Sequence, residues 1–396
     1  MRLSLISRCI GALTLIVQAV SGTGAWRAGP TRLVYQNETF HLRGINWHGM
    51  ESLPPGCPVP HGLWSQPLSW WLDKVQAEGF NAVRLPLSTE VMEDPDAFVI
   101  PPPCLGAEPR FAGATGLTPR TILPVLLDEA WKRGIAVLLD RHTTQGEIQP
   151  YPWIDEWTPD RVCNAWTRIL SLEGVGTHPA LMGIDLVNEP HGQCTLQDAM
   201  HYYQKCVQVV ERAQTGFDGV YLLAGVQWSQ EGGMMSAWGG SLRDLPLVTT
   251  APNHFEVDPS RLVLTVHQYG PDVRGMSQQD WGPNWVRARN DTPWQDVPVI
   301  LGEWGGFLRP GSGDEEYYTN MIEDLAPLDN FFWTLSPDSG DTGGLVFSDF
   351  STVDGNKVRL INNLQPCPTR LGPIPVQRRL GSTKKNLRGT SIADQV

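Results

Sequence analysis

Positive charge is scarce in this chain. Its 30 Lys and Arg stand against 42 Asp and Glu, for a formal net charge of -12, and no run of basic residues lies inside the body. That acidic balance argues against a nucleic-acid partner. Long apolar runs are missing too: the longest, Cys9 to Val20, is shorter than the roughly 20 residues a membrane-spanning helix needs. No membrane partner is therefore expected for the mature chain. Among seven cysteines no two have C-x-x-C spacing, and no His/Cys/Asp cluster has metal-ligand spacing, so neither a metal nor an organic cofactor is expected. Internal repeats and a Gly-rich phosphate turn after the first strand are also absent.

What is present begins with a secretory signature. Arg2 and Arg8 precede the apolar segment, and small residues follow to Ala25, so residues 1–25 read as a signal peptide cleaved between Ala19 and Ala25. The mature protein is expected to be extracellular and monomeric. Without Cys9, an even set remains: Cys57, Cys104, Cys163, Cys194, Cys206 and Cys367. In an oxidising compartment these are expected to form disulfides, with the pairing open among fifteen possibilities. Asn37-Glu38-Thr39 and Asn290-Asp291-Thr292 are glycosylation acceptors if exposed. Residues 366–396 are rich in Pro, Arg and Lys without apolar periodicity, and read as a disordered basic tail after one folded domain over 26–365.

Within that domain short apolar strands alternate with helical patterns. The strands are read at Leu42–Trp47, Asn81–Leu87, Ala136–His142, Met182–Val187, Val220–Ala224, Arg261–His267, Val297–Leu301 and Phe331–Leu335. Helices are read at Ser69–Glu78, Thr121–Arg133, Arg161–Leu172, Leu196–Gln214 and Glu315–Leu325, with Gly79 and Gly134 as stop signals. Eight such strands predict an α/β fold, a single-domain (β/α)8 TIM barrel, rather than an open doubly wound sheet.

A parallel barrel gathers every strand's carboxyl end at one face. Those ends carry Trp47-His48, Arg84, Asp140-Arg141-His142, Asn188-Glu189, Gln227-Trp228, His267-Gln268-Tyr269, Glu303-Trp304 and Trp333. Two of them, Glu189 and Glu303, each follow a buried apolar run. Pro190 disfavours helical backbone at Glu189, which is expected to be extended. A lone strand-end glutamate is usually a solvated charge. A pair at one barrel mouth is the equipment of glycoside hydrolysis, where one carboxylate attacks and one acid protonates the leaving oxygen. Arg84 and Tyr269 can hold one carboxylate charged, and that charge pushes the second acid towards its protonated form. Asp140 and Asp185, inside strands, read as structural partners of barrel arginines.

The ordered series GINWHGME, HGLW, NAVRLPLS, LDRH, GIDLVNEPH, GVQW, AWGGSL, VHQYGP, LGEWGG and WTLSPDSGDTGGL, from about Leu42 to Asn363, resembles glycoside hydrolase family 5, the cellulase family. It is similar to the bacterial-type endo-β-1,4-glucanases. The resemblance implies Glu189 as acid/base and Glu303 as nucleophile, with Arg84 and Tyr269 setting the nucleophile's charge and position. It further implies Asn188 on the substrate 2-hydroxyl, His142 and His267 lining the cleavage subsite, and Trp333 as its stacking floor. The implied substrate is cellulose or a related β-glucan. Other β-glycans (β-mannan, β-1,3-glucan) and a non-catalytic carbohydrate-binding protein on this scaffold remain alternatives. His48 and Trp304 stand where the family often has phenylalanine, and with Thr143-Thr144-Gln145 they are expected to flank the cleft.

Overall fold

The computed structural model describes residues 26–145, 158–192, 194–230, 234–274, 288–321, 328–364 and 368–371. The signal segment, nearly all of the basic tail, Cys9 and Cys367 lie outside them. Three short antiparallel strands come first, β1 (Trp26–Ala28), β2 (Leu33–Tyr35) and β3 (Glu38–Phe40). The parallel strands that follow are β4 (Arg43–Asn46), β5 (Ala82–Ser88), β6 (Ala136–Thr143), β7 (Leu181–Asp185) and β8 (Val220–Ala224). A two-stranded hairpin, β9 (Trp228–Ser229) with β10 (Met234–Met235), interrupts them. Then come β11 (Leu262–Tyr269), β12 (Val299–Gly305) and β13 (Asp329–Trp333). Pairing runs β11-β12-β13-β4-β5-β6-β7-β8 and returns to β11, so the eight parallel strands close into a barrel. All eight expected strands are present, with their ends moved by a few residues.

Strand alternation explains how one sequence supplies both a core and a site. Side chains of successive residues point to opposite faces. On β5, Ala82 and Arg84 face inward; on β6, Ala136, Leu138, Asp140 and His142 do so; on β11, Val263, Thr265, His267 and Tyr269. Each inward row is apolar at its amino end and polar at its carboxyl end. The lower layer, with Met182, Leu222, Ile300 and Phe331, packs on Trp26, Leu33 and Phe40 of the small antiparallel sheet, which plugs the barrel floor. Gly44 belongs to this layer because a Cβ there would lie 2.1 Å from the Phe331 ring. Outward residues such as Ile45, Val83, Leu85 and Ile184 form the larger cluster beneath the helices.

The expected helices are found at Leu68–Ala77, Pro119–Lys132, Pro159–Leu170, Leu196–Arg212 and Gly313–Asn320; the last was expected to reach Leu325, and residues 322–325 lie outside the described ones. Pro119 and Pro159 open two of them, where a missing N–H costs nothing. Thr195 and Asp198 make a reciprocal capping box on the long fourth helix. Disulfides join Cys57 to Cys104 and Cys163 to Cys206. Cys194, expected to be bridged, is instead a free thiol donating to the Thr195 carbonyl at 3.3 Å. Asn37, Glu38 and Thr39 are all exposed, whereas Thr292 of the second acceptor is buried and donates its hydroxyl to Arg289 O. Among the described residues no helix is long and apolar enough to cross a membrane.

Candidate active site

The polar carboxyl end of the barrel converges on Arg84, whose guanidinium is fully buried. Sequence reading placed Arg84 at a strand tip. It is in fact the third residue of β5, and its length carries the charge up the barrel axis. Nη1 contacts Glu303 Oε1 at 2.6 Å and Asn46 Oδ1 at 3.0 Å. Nη2 lies 2.9 Å from Asn188 Oδ1, 3.0 Å from Asp140 Oδ1 and 3.0 Å from Asp185 Oδ2. Asp140 and Asp185 thus pair with a barrel arginine as expected. Burial alone would lower the Arg84 pKa, but the Asp140, Asp185 and Glu303 charges overcome it and raise it. Three carboxylates around one cation leave negative charge in excess. Asp185 absorbs it: burial first, then the Asp140 charge, push its pKa up to about 7 against the pull of Arg84.

Glu303 is held at both oxygens. The Tyr269 hydroxyl donates to Oε2 at 2.6 Å, opposite the Arg84 contact on Oε1. How Glu303 comes to face inward is not evident from strand parity, because Ile300 and Gly302 point inward and Glu303 should point out. The pairing of β12 with β11 skips Gly302, as Val266 faces Leu301 and His267 faces Glu303, and the pairing with β13 shifts at the same place. This extra residue is a β-bulge that turns Glu303 into the barrel and Trp304 out of it. A Cβ on Gly302 would sit 2.5 Å from Thr265 Oγ1 and 2.9 Å from His267 Nε2. Only glycine leaves the His267 ring its place.

Glu189 stands beyond the end of β7, and its backbone is not extended: φ is +46°, in the left-handed region. Pro190 constrains but does not exclude that conformation. The loop is braced around it. His191 Nδ1 donates to the Glu189 carbonyl at 2.7 Å, the His191 ring stacks on Trp238 at 4.1 Å, and Gly192 N donates to Gln227 Oε1 at 2.9 Å. The turn aims the carboxylate at His267, whose Nδ1 is 3.1 Å from Glu189 Oε1 and 3.5 Å from Glu303 Oε2. Burial, the largest cause, lowers the His267 pKa to about 4 although Glu303 opposes it, so the ring between the two acids is neutral near pH 7. One oxygen of Glu189, one ring nitrogen of His267 and one oxygen of Glu303 all lie within 4.8 Å of one another.

His142 completes the group. Its Nδ1 is 2.7 Å from Asp140 Oδ2 and 4.0 Å from Glu303 Oε1, and its Nε2 is 3.4 Å from Asn188 Nδ2. Burial would lower its pKa, yet the Asp140 charge and hydrogen bond raise it to about 9. Trp333, half-buried at the end of β13, lies nearly parallel to the His142 ring at 5.2 Å and donates from its indole nitrogen to Ser339. The structure therefore gathers Glu189, Glu303, Arg84, His142, Asn188, His267, Tyr269 and Trp333 at one mouth.

A further expectation fails. Trp304 does not flank the cleft: it is fully buried, donating to Asn330 Oδ1 at 2.9 Å and packing on Tyr318 and Phe332. Folding also brings together residues distant in sequence, since His48, His61 and Asp338 have donor atoms within 4.8 Å of one another. Asn46 was missed as an Arg84 partner. Its signal was parity, because it lies two residues beyond inward-facing Gly44. The arrangement can hold one buried carboxylate at both of its oxygens beside a second carboxyl group that faces an imidazole.

A model of the cellulase family, glycosyl hydrolase family 5, matches residues 35–339. An endoglucanase of Paenibacillus polymyxa is 30% identical over 345 residues, covering 82% of this chain and 82% of that protein. The major extracellular endoglucanase of Xanthomonas campestris pv. campestris is 30% identical over 354 residues, covering 83% of this chain and 68% of that one. Its catalytic domain, as a solved structure, superposes with a TM-score of 0.73 at 25% identity, covering 86% of this chain and 99% of that domain. The endocellulase of Pyrococcus horikoshii, solved with cellotetraose, has the same fold at a TM-score of 0.69 and 23% identity, covering 86% and 98%.

Proposed function

This chain belongs to glycosyl hydrolase family 5 and is an endoglucanase-like hydrolase of β-glucans; from that premise we propose that it is secreted and cleaves β-1,4-glucosidic bonds with net retention at the anomeric carbon. The observation that carries retention is the short span between the two glutamates, whose oxygens come within 4.8 Å of each other. Retaining enzymes separate their carboxyl groups by about 5–5.5 Å, and inverting ones by about 6.5–9.5 Å to admit a water.

The two acids take different roles because their surroundings differ. Glu303 faces a guanidinium on one oxygen and a phenol on the other, both of which compensate negative charge and fix its direction. It is the nucleophile. Glu189 Oε1 instead faces the neutral His267 ring, a setting in which a carboxyl group can carry a proton and release it. In the first step a Glu303 oxygen bonds to the anomeric carbon, the glycosidic C–O bond breaks, and the Glu189 proton goes to the departing oxygen. In the second, Glu189 takes a proton from water, the water oxygen bonds to the same carbon, and Glu303 leaves as a carboxylate. Asn188, fixed by Arg84, is placed to bind the 2-hydroxyl, and Trp333 offers an apolar face to a sugar ring.

The test is proton NMR of the first product formed from a cello-oligosaccharide. The β-anomer appearing before mutarotation supports the reading, and the α-anomer overturns retention. Reducing-sugar release from carboxymethylcellulose, barley glucan, mannan and laminarin, run side by side, tests the β-1,4-glucan assignment, which faster release from mannan or laminarin overturns.

A further inference from the structure

A second cluster of donors lies beside the site and takes no part in the mechanism above. His48 follows β4, His61 lies on the loop that pairs back to it through the His61 N–H and the His48 carbonyl at 2.9 Å, and Asp338 lies on the loop after β13. His48 Nε2 is 3.1 Å from Asp338 Oδ1, and His61 Nδ1 is 2.6 Å from Asp338 Oδ2. The two imidazole rings meet edge to face at 4.8 Å. His48 is nearly buried, while a third of the Asp338 side chain reaches solvent, which gives an ion a path in.

We propose that His48, His61 and Asp338 form a binding site for a divalent cation of the zinc class, set against the Trp333 indole. Two imidazoles and a carboxylate are the ligand set of an open zinc site, with the fourth position left to water. Bond lengths of about 2.0–2.2 Å place tetrahedral ligand atoms roughly 3.3–3.5 Å apart, so the donors need shift by about 1 Å or less.

The hydrogen bonds behind His48 favour the same reading. Thr334 Oγ1 gives its proton to the Asn46 carbonyl at 2.8 Å and therefore accepts from His48 Nδ1, 3.2 Å away. Ser336 Oγ is a second neighbour of Nδ1 at 3.3 Å. With Nδ1 engaged by Thr334, Nε2 is the ring nitrogen that faces Asp338 and would bind the cation. Holding the far ring nitrogen by a hydrogen bond is also how a histidine ligand is oriented towards a metal. The site touches the glycan-facing surface, because the His48 ring lies nearly parallel to Trp333 at 5.6 Å. An ion here would brace the loop after β13 and the wall behind that indole.

The experiment uses the whole protein, freed of metal with EDTA and titrated with zinc chloride by calorimetry, alongside His48→Phe and Asp338→Asn. Phenylalanine keeps a ring against Trp333 but removes both nitrogens, and asparagine keeps the volume but removes the charge. The expected result is one equivalent of zinc bound by the unmutated protein and at least tenfold weaker binding in each variant. At a hundredfold excess over Kd, Tm should rise by roughly 3–4 °C in the unmutated protein alone. Three results overturn the proposal: no saturable binding, equal binding in both variants, or binding that survives them and is lost in His267→Ala, which moves the ion to the glutamate pair. None of these readouts depends on hydrolysis, so failure here leaves the retaining mechanism untouched.

Discussion

Arg84 Nη1 lies 2.6 Å from Glu303 Oε1, and neither side chain is more than 4% exposed. The same guanidinium meets Asp140 and Asp185, so one cation holds these two buried acids together with Glu303. Removing one member of a buried ion pair leaves uncompensated charge, at a cost of about 3–5 kcal/mol. Arg84→Met should therefore lower the urea unfolding free energy by that amount and abolish turnover. An unfolding curve superimposable on that of the unmutated protein would contradict the network.

Glu303→Gln and Glu189→Gln should separate kinetically. Loss of Glu303, the proposed nucleophile, is expected to cut kcat on cello-oligosaccharides by at least about 10⁴-fold, whatever the leaving group. Loss of Glu189, the proposed proton donor, should cost about 10²–10⁴-fold on those substrates but far less on a nitrophenyl glycoside, whose leaving group needs no proton. Single-turnover rates on both substrate types measure the split, and the reverse pattern would exchange the two roles.

Tyr269→Phe deletes one donor to Glu303 while keeping the ring. The expected effect is a fall of about 10²-fold in kcat with little change in KM, the pattern of a contact that matters most as charge is redistributed. A raised KM at unchanged kcat would instead assign Tyr269 to ground-state sugar binding.

His142 makes a pH prediction. Its folded pKa of about 9 lies above the ordinary value of 6.5 because the Asp140 charge and hydrogen bond outweigh burial. The folded state therefore holds the proton more tightly than the unfolded chain does. This stabilisation is complete below pH 6.5 and is lost as pH rises from there to about 9. Calorimetric Tm should fall between pH 7 and 9.5, and His142→Gln should flatten that fall.

The Cys163–Cys206 bridge closes a 43-residue span and ties helix Pro159–Leu170 to helix Leu196–Arg212. Loop-closure entropy assigns such a cross-link about 4 kcal/mol as an upper figure. The Cys163→Ser/Cys206→Ser double variant should melt several degrees lower, and an unchanged Tm would mean that the packing between the two helices holds them unaided.

Much of the barrel was legible in the chain. Apolar runs such as Val220–Ala224 and Ala136–Leu139 mark strands, and because parallel strands end at one face, their terminal residues name the site before any coordinate does. The errors have local causes. Glu189 was read as extended from Pro190, but the packed loop of His191, Trp238 and Gln227 sustains a left-handed residue that local preference disfavours. Trp304 was read beside the cleft because it follows Glu303, and the bulge at Gly302 sends the two in opposite directions. Cys194 was counted into a bridge by arithmetic, while pairing depends on which sulfurs meet.

By itself the sequence determined which residues alternate, where strands stop and which acids stand at their ends, because hydrophobic periodicity and proline and glycine punctuation are properties of neighbours along the chain. Only the tertiary structure decided the facing of Glu303, the distance from Glu189 to Glu303, the gathering of three carboxylates on Arg84 and the meeting of His48 and His61 with Asp338. Those depend on a one-residue slip between strands and on contacts between residues up to hundreds of positions apart, where closure of the barrel, and no local preference, sets the geometry.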